Sequence, residues 1–139
     1  MFLLDTNVVA ELRKARSGKA NKQVVHWASN VPATSLFISA ITILEIELGV
    51  RLAERRDPRQ GAVLRRWLDG NVLPAFMDRL LPVDTDVAIT CARLHVPDPR
   101  SERDALIGAT ALVHGLTVAT RNVGDFKAMN VALHDPWTP

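Results

Sequence analysis

Short apolar runs alternate along the chain with longer segments in which apolar residues recur every three or four positions. The short runs predict buried strands at residues 2–4, 36–38, 80–83, 116–119 and 131–133. The longer segments predict helices at about residues 6–14, 20–30, 40–56, 59–79 and 102–114, and one more that begins after Asp84. Strands that alternate with helices favour a mainly parallel sheet covered on both faces. We therefore expect one domain over residues 1–139, with a three-layer α/β/α fold and a central sheet of four to five strands.

Local signals mark several of these boundaries. Pro74 is expected to break or kink the helix predicted at residues 59–79. Ser101 is suited to the N-cap of the helix at residues 102–114, and Gly115 is suited to its C-cap.

The composition limits the class of protein. Hydrophobic residues make up 47% of the chain, which is too many for a disordered protein. No apolar run reaches the length of a membrane helix, and the N-terminus lacks the basic and apolar regions of a signal peptide. Cys91 is the single cysteine, and its apolar helical surroundings favour a buried structural thiol. We therefore expect a cytoplasmic protein without membrane contact.

Basic residues are concentrated in two runs, although the net charge is only +2. The first run comprises Arg13, Lys14, Arg16, Lys19 and Lys22, and the second comprises Arg51, Arg55, Arg56, Arg59, Arg65 and Arg66. Such runs form either a solvated face or a contact surface for nucleic-acid phosphates. The sequence leaves both interpretations open.

Glu45 is the most informative acidic residue. By helical spacing it shares a stripe with four apolar residues, which are Ile41, Leu44, Leu48 and Leu52. No Lys or Arg lies one turn away on that face, and a buried carboxylate requires a cation, a metal or a proton. Glu47 is about 200° farther around the helix, where it can pair with Arg51 on a solvated face. We therefore expect Glu45 to be buried and Glu47 to be solvated.

Three aspartates lie where predicted strands and helices meet. Asp5 ends the first strand, Asp104 opens a helix, and Asp125 lies in a loop after the fourth strand. Each has an ordinary explanation, since Asp5 can cap a helix, Asp104 can join Ser101 in a capping box, and Asp125 can be a turn residue. However, the carboxyl ends of parallel strands are also where α/β proteins collect their ligands.

Four carboxylates at one edge of the sheet would repel one another, so the set Asp5, Glu45, Asp104 and Asp125 requires divalent cations. Oxygen ligands favour Mg²⁺ or Mn²⁺ over Zn²⁺. The four histidines show no spacing typical of a metal site, and the chain has no Gly-rich phosphate loop.

Four stretches carry a resemblance to a known family. They are Leu3-Leu4-Asp5-Thr6-Asn7, Ser39-x-x-Thr42-x-x-Glu45-x-x-x-Gly49, Asp104-Ala105-x-Ile107-x-Ala109-Thr110-Ala111 and Val118-Ala119-Thr120-Arg121-Asn122-x-x-Asp125-Phe126. In this order they resemble the PIN-domain family, and within it the VapC-type and FitB-type toxins of bacterial toxin–antitoxin pairs. The terminal Asp135-Pro136-Trp137 is similar to the FitB-like end. Each stretch is weak alone, but the set is specific and covers the whole chain.

The resemblance implies a PIN-like endoribonuclease in which Mg²⁺ or Mn²⁺ activates a water for attack on an RNA phosphodiester. It implies that Asp5, Glu45 and Asp104 are catalytic metal ligands, with Asp125 as a fourth. Some relatives carry an acid where this chain has Asn122, so Asp125 binds the metal either directly or through water. Ligands or phosphate would be oriented by Thr6, Asn7, Thr120 and Asn122. RNA would be held by Arg13, Lys14, Arg16 and Arg121.

The resemblance also implies a VapB-like or FitA-like antitoxin that covers the acidic pocket. An antitoxin arginine could bind the carboxylates, while apolar residues cover the nearby surface. The helices around Trp27 and around Trp67 have apolar faces that either form core or dock a partner. We expect a homodimer that loses nuclease activity when the antitoxin binds.

Other classes fit less well. A haloacid-dehalogenase-type phosphatase would need a second acid at the position of Asn7, and a receiver domain would need an acidic neighbour for Asp5. A non-catalytic nucleic-acid-binding module would suit the charge but would leave Glu45 unexplained.

Overall fold

The computed structural model of the protein describes residues 1–139 and contains one five-stranded sheet. The strands are β1 (Phe2–Leu4), β2 (Leu36–Ser39), β3 (Leu80–Leu81), β4 (Thr117–Ala119) and β5 (Leu133–His134). Their order across the sheet is β3-β2-β1-β4-β5, and all four pairings are parallel. The predicted parallel sheet is confirmed, and β1 occupies its centre.

Eight α-helices connect and cover the strands. They are α1 (Thr6–Arg13), α2 (Lys22–Ser29), α3 (Ala40–Arg56), α4 (Pro58–Trp67), α5 (Leu73–Phe76), α6 (Thr85–Leu94), α7 (Glu102–His114) and α8 (Val123–Phe126). None of them is both long and apolar enough to span a bilayer.

Helices pack on both faces of the sheet because successive strand residues point to opposite sides. Leu4 and Ile38 pack on one face with residues of α1, α3 and the segment after α4, which are Val8, Val9, Ile46, Val50, Leu68 and Val72. Leu3 and Val118 pack on the other face with Ile107, Ala111, Phe126 and Met129. A smaller cluster, formed by Val87, Cys91, Ala105 and Ala109, joins α6 to α7. This arrangement confirms the predicted three-layer fold.

The helix predicted at residues 59–79 is interrupted. A π-helical turn covers Leu68–Val72 between α4 and α5, and Pro74 lies in the first turn of α5. Because proline has no N–H, it cannot donate to the carbonyl one turn earlier, so the regular hydrogen-bond pattern shifts before it. The expected break at Pro74 is therefore present, and it begins one turn earlier than the proline itself.

The orientation of α3 differs from the predicted one. Its buried residues are Ile41, Thr42, Ile46, Val50 and Ala53. Three leucines that we expected in the core, Leu44, Leu48 and Leu52, are 46%, 40% and 55% exposed. The prediction was wrong because α3 carries two apolar stripes, and spacing alone does not say which of them faces the sheet.

Gly108 and Gly115 have separate roles in the middle and at the end of α7. A Cβ added at Gly108 would lie 2.6 Å from Met129 Sδ, so the helix closely approaches the turn Lys127–Met129 there. Gly115 ends α7 in the left-handed region, at φ +65°, as its C-cap prediction requires.

Candidate active site

Four acidic side chains converge beyond the carboxyl end of β1. Asp5 follows β1, Glu45 lies in α3, Asp104 lies in the first turn of α7, and Asp125 lies in α8. We call this set the carboxylate pocket. The charges of the other three carboxylates each contribute to raising the pKa of Asp104. The segment around Asp125, which we predicted to be a loop, is a single helical turn.

Asp5 is held by neighbouring donors in one orientation. It is 6% exposed, and its backbone N–H donates to the Ala119 carbonyl at 2.9 Å. The Thr120 hydroxyl donates to Asp5 Oδ2 at 2.7 Å, and Asn7 Nδ2 lies 3.4 Å from the same oxygen. Oδ1 accepts the Thr6 backbone N–H at 2.8 Å. Asp5 therefore caps α1 and also presents a fixed carboxylate to the pocket.

Glu45 is half-buried and has two partners from other helices. The Thr6 hydroxyl donates to Glu45 Oε1 at 2.6 Å. Arg103 Nη1 lies 3.8 Å from Glu45 Oε2. No Lys or Arg of α3 lies one turn from Glu45 on its own face, as the sequence indicates, and the neighbouring cation comes from α7. Arg103 directly precedes Asp104, and that adjacency was the available sequence signal.

The pocket disfavours negative charge on two of its members. Burial raises the pKa of Asp5, and the charges of Glu45 and Asp125 raise it further. The hydrogen bonds from Thr120 and Thr6 act in the opposite direction on the pKa of Asp5. For Asp104, burial is again the largest cause of a raised pKa, and repulsion from the other carboxylates adds to it. A bound cation would relieve this repulsion.

The predicted capping box at the start of α7 does not form as expected. The Ser101 hydroxyl makes no hydrogen bond to a backbone N–H of the first turn. The two residues therefore do not form a reciprocal cap. The Ser101 side chain instead interacts with the Asp104 carboxyl and acts against the raised pKa of Asp104.

The polar residues proposed to orient ligands differ in what they contact. Thr6, Asn7 and Thr120 bond directly to pocket carboxylates. The Asn122 backbone N–H donates to the Thr120 hydroxyl at 3.0 Å, and its side chain makes no capping hydrogen bond to α8. Asn122 therefore supports the pocket through its backbone.

The candidate RNA-binding cations occupy different surroundings. Arg121 lies over the Trp137 ring, 5.3 Å from its centroid, and Arg13 lies 5.9 Å from the centroid of Trp67. Lys14 Nζ pairs with Glu11 at 3.3 Å. Arg16 is exposed. All four retain solvent access or a position on an aromatic face, which is compatible with phosphate contact.

Part of the second basic run is neutralised internally. Arg65 forms two hydrogen bonds of 2.7 Å with Glu47 and further bonds with Glu54. Asp69 and Arg51 complete this group, which we call the Arg65 cluster: Glu47, Arg51, Glu54, Arg65 and Asp69. The expected Glu47–Arg51 pair is confirmed at 3.0 Å, but the solvated position expected for Glu47 was wrong, because α4 packs against it.

The donor chemistry of the carboxylate pocket suits a hard divalent cation. Its charged groups are oxygen donors from four separate segments, and Thr6 and Thr120 leave each of their carboxylates at least one oxygen without a hydroxyl partner. Mg²⁺ and Mn²⁺ are bound in proteins by ligands of this kind. The set therefore fits such an ion on chemical grounds.

Comparison with known proteins agrees with this geometry. The sequence pattern of the PIN domain matches residues 2–131. The chain is 37% identical to toxin FitB from Neisseria gonorrhoeae over 142 residues, with 99% of each chain covered. It is 36% identical to the VapC ribonuclease Y4jK from Sinorhizobium fredii over 144 residues, covering 100% of this chain and 99% of the relative.

A solved structure shares the whole fold. The crystal structure of FitAcB from Neisseria gonorrhoeae contains a chain that matches with a TM-score of 0.89 and 37% identity, and the match covers 100% of both chains.

Proposed function

Because this chain belongs to the PIN-domain family, we propose that it is a metal-dependent endoribonuclease and the toxin of a toxin–antitoxin pair. The observation that carries the proposal is the carboxylate pocket, in which acids from four segments converge with Arg103 as their nearby cation. The names of the relatives, a toxin and a ribonuclease, support the same activity. We propose that residues 1–139 act as a single nuclease domain.

Asp5, Glu45, Asp104 and Asp125 would hold Mg²⁺ or Mn²⁺, and they are the proposed catalytic residues. When bound, the cation neutralises phosphate charge and makes a water more acidic. The protein's own contribution is positional. Thr120 and Asn7 fix Asp5, and Thr6 fixes Glu45, so that two carboxylates are oriented before any cation arrives.

The raised pKa values of Asp5 and Asp104 have a chemical consequence for the cation-free protein. Each carboxyl can keep its proton at a pH above its ordinary pKa. A protonated carboxyl is neutral, so the repulsion among the pocket carboxylates is weaker when no cation is bound. Cation binding would favour the ionised forms, because an opposite charge beside a carboxylate stabilises it.

Asn7 argues against the phosphatase alternative. A phosphatase of the haloacid-dehalogenase type would need an acid at this position, whereas Asn7 donates its amide toward Asp5 and accepts the Arg121 backbone N–H at 3.3 Å. A carboxylate could not donate to Asp5. The position therefore supports a role in orienting Asp5.

RNA would lie across Arg121 and the first basic run, with Arg13, Lys14 and Arg16 as candidate phosphate contacts. Arg121 is next to Thr120, which bonds to Asp5. The Arg65 cluster makes Arg65 a poor phosphate ligand, because its guanidinium is already engaged by two glutamates. Since its substrate is RNA and its one thiol is free, we propose that the protein acts in the cytoplasm.

A groove beside the carboxylate pocket is suited to the antitoxin. It consists of two adjacent hollows that share Arg13 and Trp67. One is also lined by Thr6, Ile46 and Leu64, and the other by Leu4, Leu12, Val72 and Phe76. Thr6 bonds to Glu45, so an apolar partner segment in this groove can place a basic side chain at the carboxylates. The relative FitB occurs in a structure named FitAB bound to DNA, which supports a VapB-like or FitA-like partner.

The exposed leucines of α3 support a homodimer. Leu44, Leu48 and Leu52 form a row at helical spacing that the monomer does not cover. Light scattering should give a dimer for the purified chain, and Leu48→Glu should shift it toward monomer. Leu112→Glu is a matched control, because Leu112 is 36% exposed but lies on α7. A monomeric parent chain would refute the dimer.

RNA cleavage tests the nuclease directly. Purified protein is incubated with structured RNA in Mg²⁺ or in excess EDTA, alongside Asp5→Asn and Asp104→Asn. Cleavage only by the parent chain with Mg²⁺ is the expected result. Undiminished cleavage in EDTA would contradict metal dependence.

Antitoxin binding is tested by co-purification with the product of the adjacent reading frame. We expect the complex not to cleave RNA. Trp67→Ala should weaken antitoxin binding more than Trp27→Ala does. Full cleavage with that product bound in excess would contradict inhibition.

A further inference from the structure

A second group of potential metal ligands lies between α6 and α7. Cys91 is in α6, His95 is its C-cap one turn later, and Glu102 is the first residue of α7. The thiol sulfur, an imidazole nitrogen and a carboxylate oxygen all lie within 4.8 Å of one another. Histidine spacing does not predict this group, because His95 is its only histidine and the ligand one helical turn before it is Cys91.

The cysteine and the histidine lack strong partners within the protein. Cys91 is a free thiol with 4% exposure. His95 Nε2 is buried without a well-aligned hydrogen bond, although Glu102 Oε2 lies 3.4 Å away. His95 Nδ1 accepts the Arg100 backbone N–H at 3.1 Å, so a neutral ring carries its proton on Nε2. The unpaired Nε2 therefore faces Glu102, and a nitrogen of the same ring lies within 4.8 Å of the Cys91 sulfur.

We propose that Cys91, His95 and Glu102 form a binding site for a borderline-soft divalent metal ion such as Zn²⁺, with water as the fourth ligand. Cysteine, histidine and glutamate are all ligands that zinc accepts. Bond lengths of about 2.0–2.3 Å place tetrahedral ligand atoms roughly 3.3–3.8 Å apart. His95 Nε2 and Glu102 Oε2 already lie 3.4 Å apart, within this range. The remaining closure, at most about 1.5 Å from the 4.8 Å limit, brings these two atoms closer to the Cys91 sulfur.

Binding at this site has a defined proton balance. The Cys91 thiol releases one proton to solvent as sulfur binds the metal. The His95 proton moves from Nε2 to Nδ1, so the ring stays neutral and the Arg100 hydrogen bond to Nδ1 breaks. This hydrogen bond joins two neutral groups, a backbone N–H and an imidazole nitrogen, next to a loop. Its loss exposes the Arg100 backbone N–H to hydrogen exchange with solvent.

The site uses different residues from the carboxylate pocket, but α7 contributes to both. Asp104 is two residues after Glu102, in the same first helical turn. A metal between α6 and α7 would fix that turn. The proposal concerns a different donor set, so it stands or falls independently of the nuclease assignment.

Cobalt absorption offers a selective test, because Cys91 is the only cysteine in the chain. Co²⁺ is titrated into reduced, metal-stripped full-length protein, and thiolate-to-cobalt charge-transfer absorption is recorded. We expect a band that rises to saturation and is removed by Zn²⁺. Co²⁺ in the carboxylate pocket does not contribute to this band, because that pocket has no sulfur ligand. Cys91→Ser should abolish it, and His95→Gln and Glu102→Gln should weaken Co²⁺ binding by at least tenfold.

Two controls separate this site from the pocket and from a folding defect. Asp104→Asn should keep the full charge-transfer band, and His114→Gln, which changes a histidine at the far end of α7, should keep it as well. Circular dichroism establishes that each variant is folded, and the exposed Glu102 is the position least prone to a folding defect. Absence of the band in the parent chain, or an unchanged band in Glu102→Gln and His95→Gln, would overturn the proposal.

Discussion

Glu45 and Glu47 lie two positions apart in α3, and their carboxylates meet opposite electrostatic surroundings. Glu47 belongs to the Arg65 cluster, where arginine bonds hold the pKa of Glu47 and of Glu54 below their ordinary values. Glu45 belongs to the carboxylate pocket, where Asp5 and Asp104 have raised pKa values and Arg103 approaches only to 3.8 Å. The negative charge of the acids in the Arg65 cluster is neutralised by arginines of the protein. The negative charge of the carboxylate pocket is left for a bound ligand to neutralise.

This difference separates acids that stabilise the fold from acids that bind ligands. Arg65 joins α3 to α4 through a planar guanidinium that donates to Glu47 and Glu54 at once. The pocket instead gathers its charges from β1, α3, α7 and α8 at the cost of mutual repulsion. Substitutions in the two groups should therefore change different properties of the protein.

The largest expected effect is on RNA cleavage. Asp104→Asn removes one charge from the proposed metal site, and we expect cleavage with Mg²⁺ to fall by at least about 100-fold. Glu45→Gln should also impair cleavage strongly, while Glu47→Gln should leave it within about twofold. Gel analysis of RNA cleavage at saturating Mg²⁺ measures all three. Loss of cleavage in Glu47→Gln but not in Glu45→Gln would reverse our assignment of the two glutamates.

A second prediction concerns stability without metal. The pKa of Asp104 is raised above its ordinary value of 3.8, so the folded state favours the protonated form. The associated stability is present below that value and is lost as the pH rises through the raised folded-state pKa. In EDTA at neutral pH, Asp104→Asn should therefore unfold at a higher temperature than the parent chain, and the difference should shrink in acid.

Glu102→Gln is the control for that experiment, since it also removes a charge from the first turn of α7 but lies outside the pocket. Calorimetry at several pH values gives the comparison. If the parent chain unfolds at a higher temperature than Asp104→Asn in EDTA at neutral pH, repulsion among the pocket carboxylates does not destabilise the folded protein.

The Arg65 cluster should give the opposite pH dependence. The folded-state pKa of Glu47 is lowered from 4.5, chiefly by the Arg65 hydrogen bonds. Its contribution to stability is thus present above that value and is lost as the pH falls through the lowered pKa. Glu47→Gln should lower the midpoint of thermal unfolding by about 3 °C at neutral pH, with a smaller difference in acid. A neutral-pH midpoint equal to that of the parent chain would show the cluster to be a solvated surface pair.

The sequence allowed much of this contrast to be predicted, and the remainder depended on tertiary packing. Asp5 and Asp104 drew attention by their places at a strand end and a helix start. Their role as metal ligands was implied by the family resemblance and stays a prediction. Arg51 could be predicted as a partner of Glu47, but Arg65 could not, because it lies 18 positions away on another helix. The exposed row of Leu44, Leu48 and Leu52 was mistaken for core for a similar reason, since α3 offers two apolar stripes.

The smallest expected effect is at Arg103. Its side chain is 48% exposed and its contact with Glu45 is long, so the pair is weak and screened by solvent. Arg103→Gln should therefore tighten Mn²⁺ binding by only about two- to fivefold, because it removes a cation that competes with the metal. Arg100→Gln is the control, because Arg100 bonds to the Leu94 carbonyl instead. Weaker Mn²⁺ binding in Arg103→Gln would show that Arg103 assists the metal site.

Calorimetric titration of Mn²⁺ into the parent chain, Asp104→Asn and Glu47→Gln tests the central claim most directly. The claim is that the carboxylate pocket is balanced by a bound cation and the Arg65 cluster is not. We predict saturable binding to the parent chain, at least about tenfold weaker binding to Asp104→Asn, and unchanged binding to Glu47→Gln. Equal Mn²⁺ affinity in the parent chain and Asp104→Asn would contradict the account.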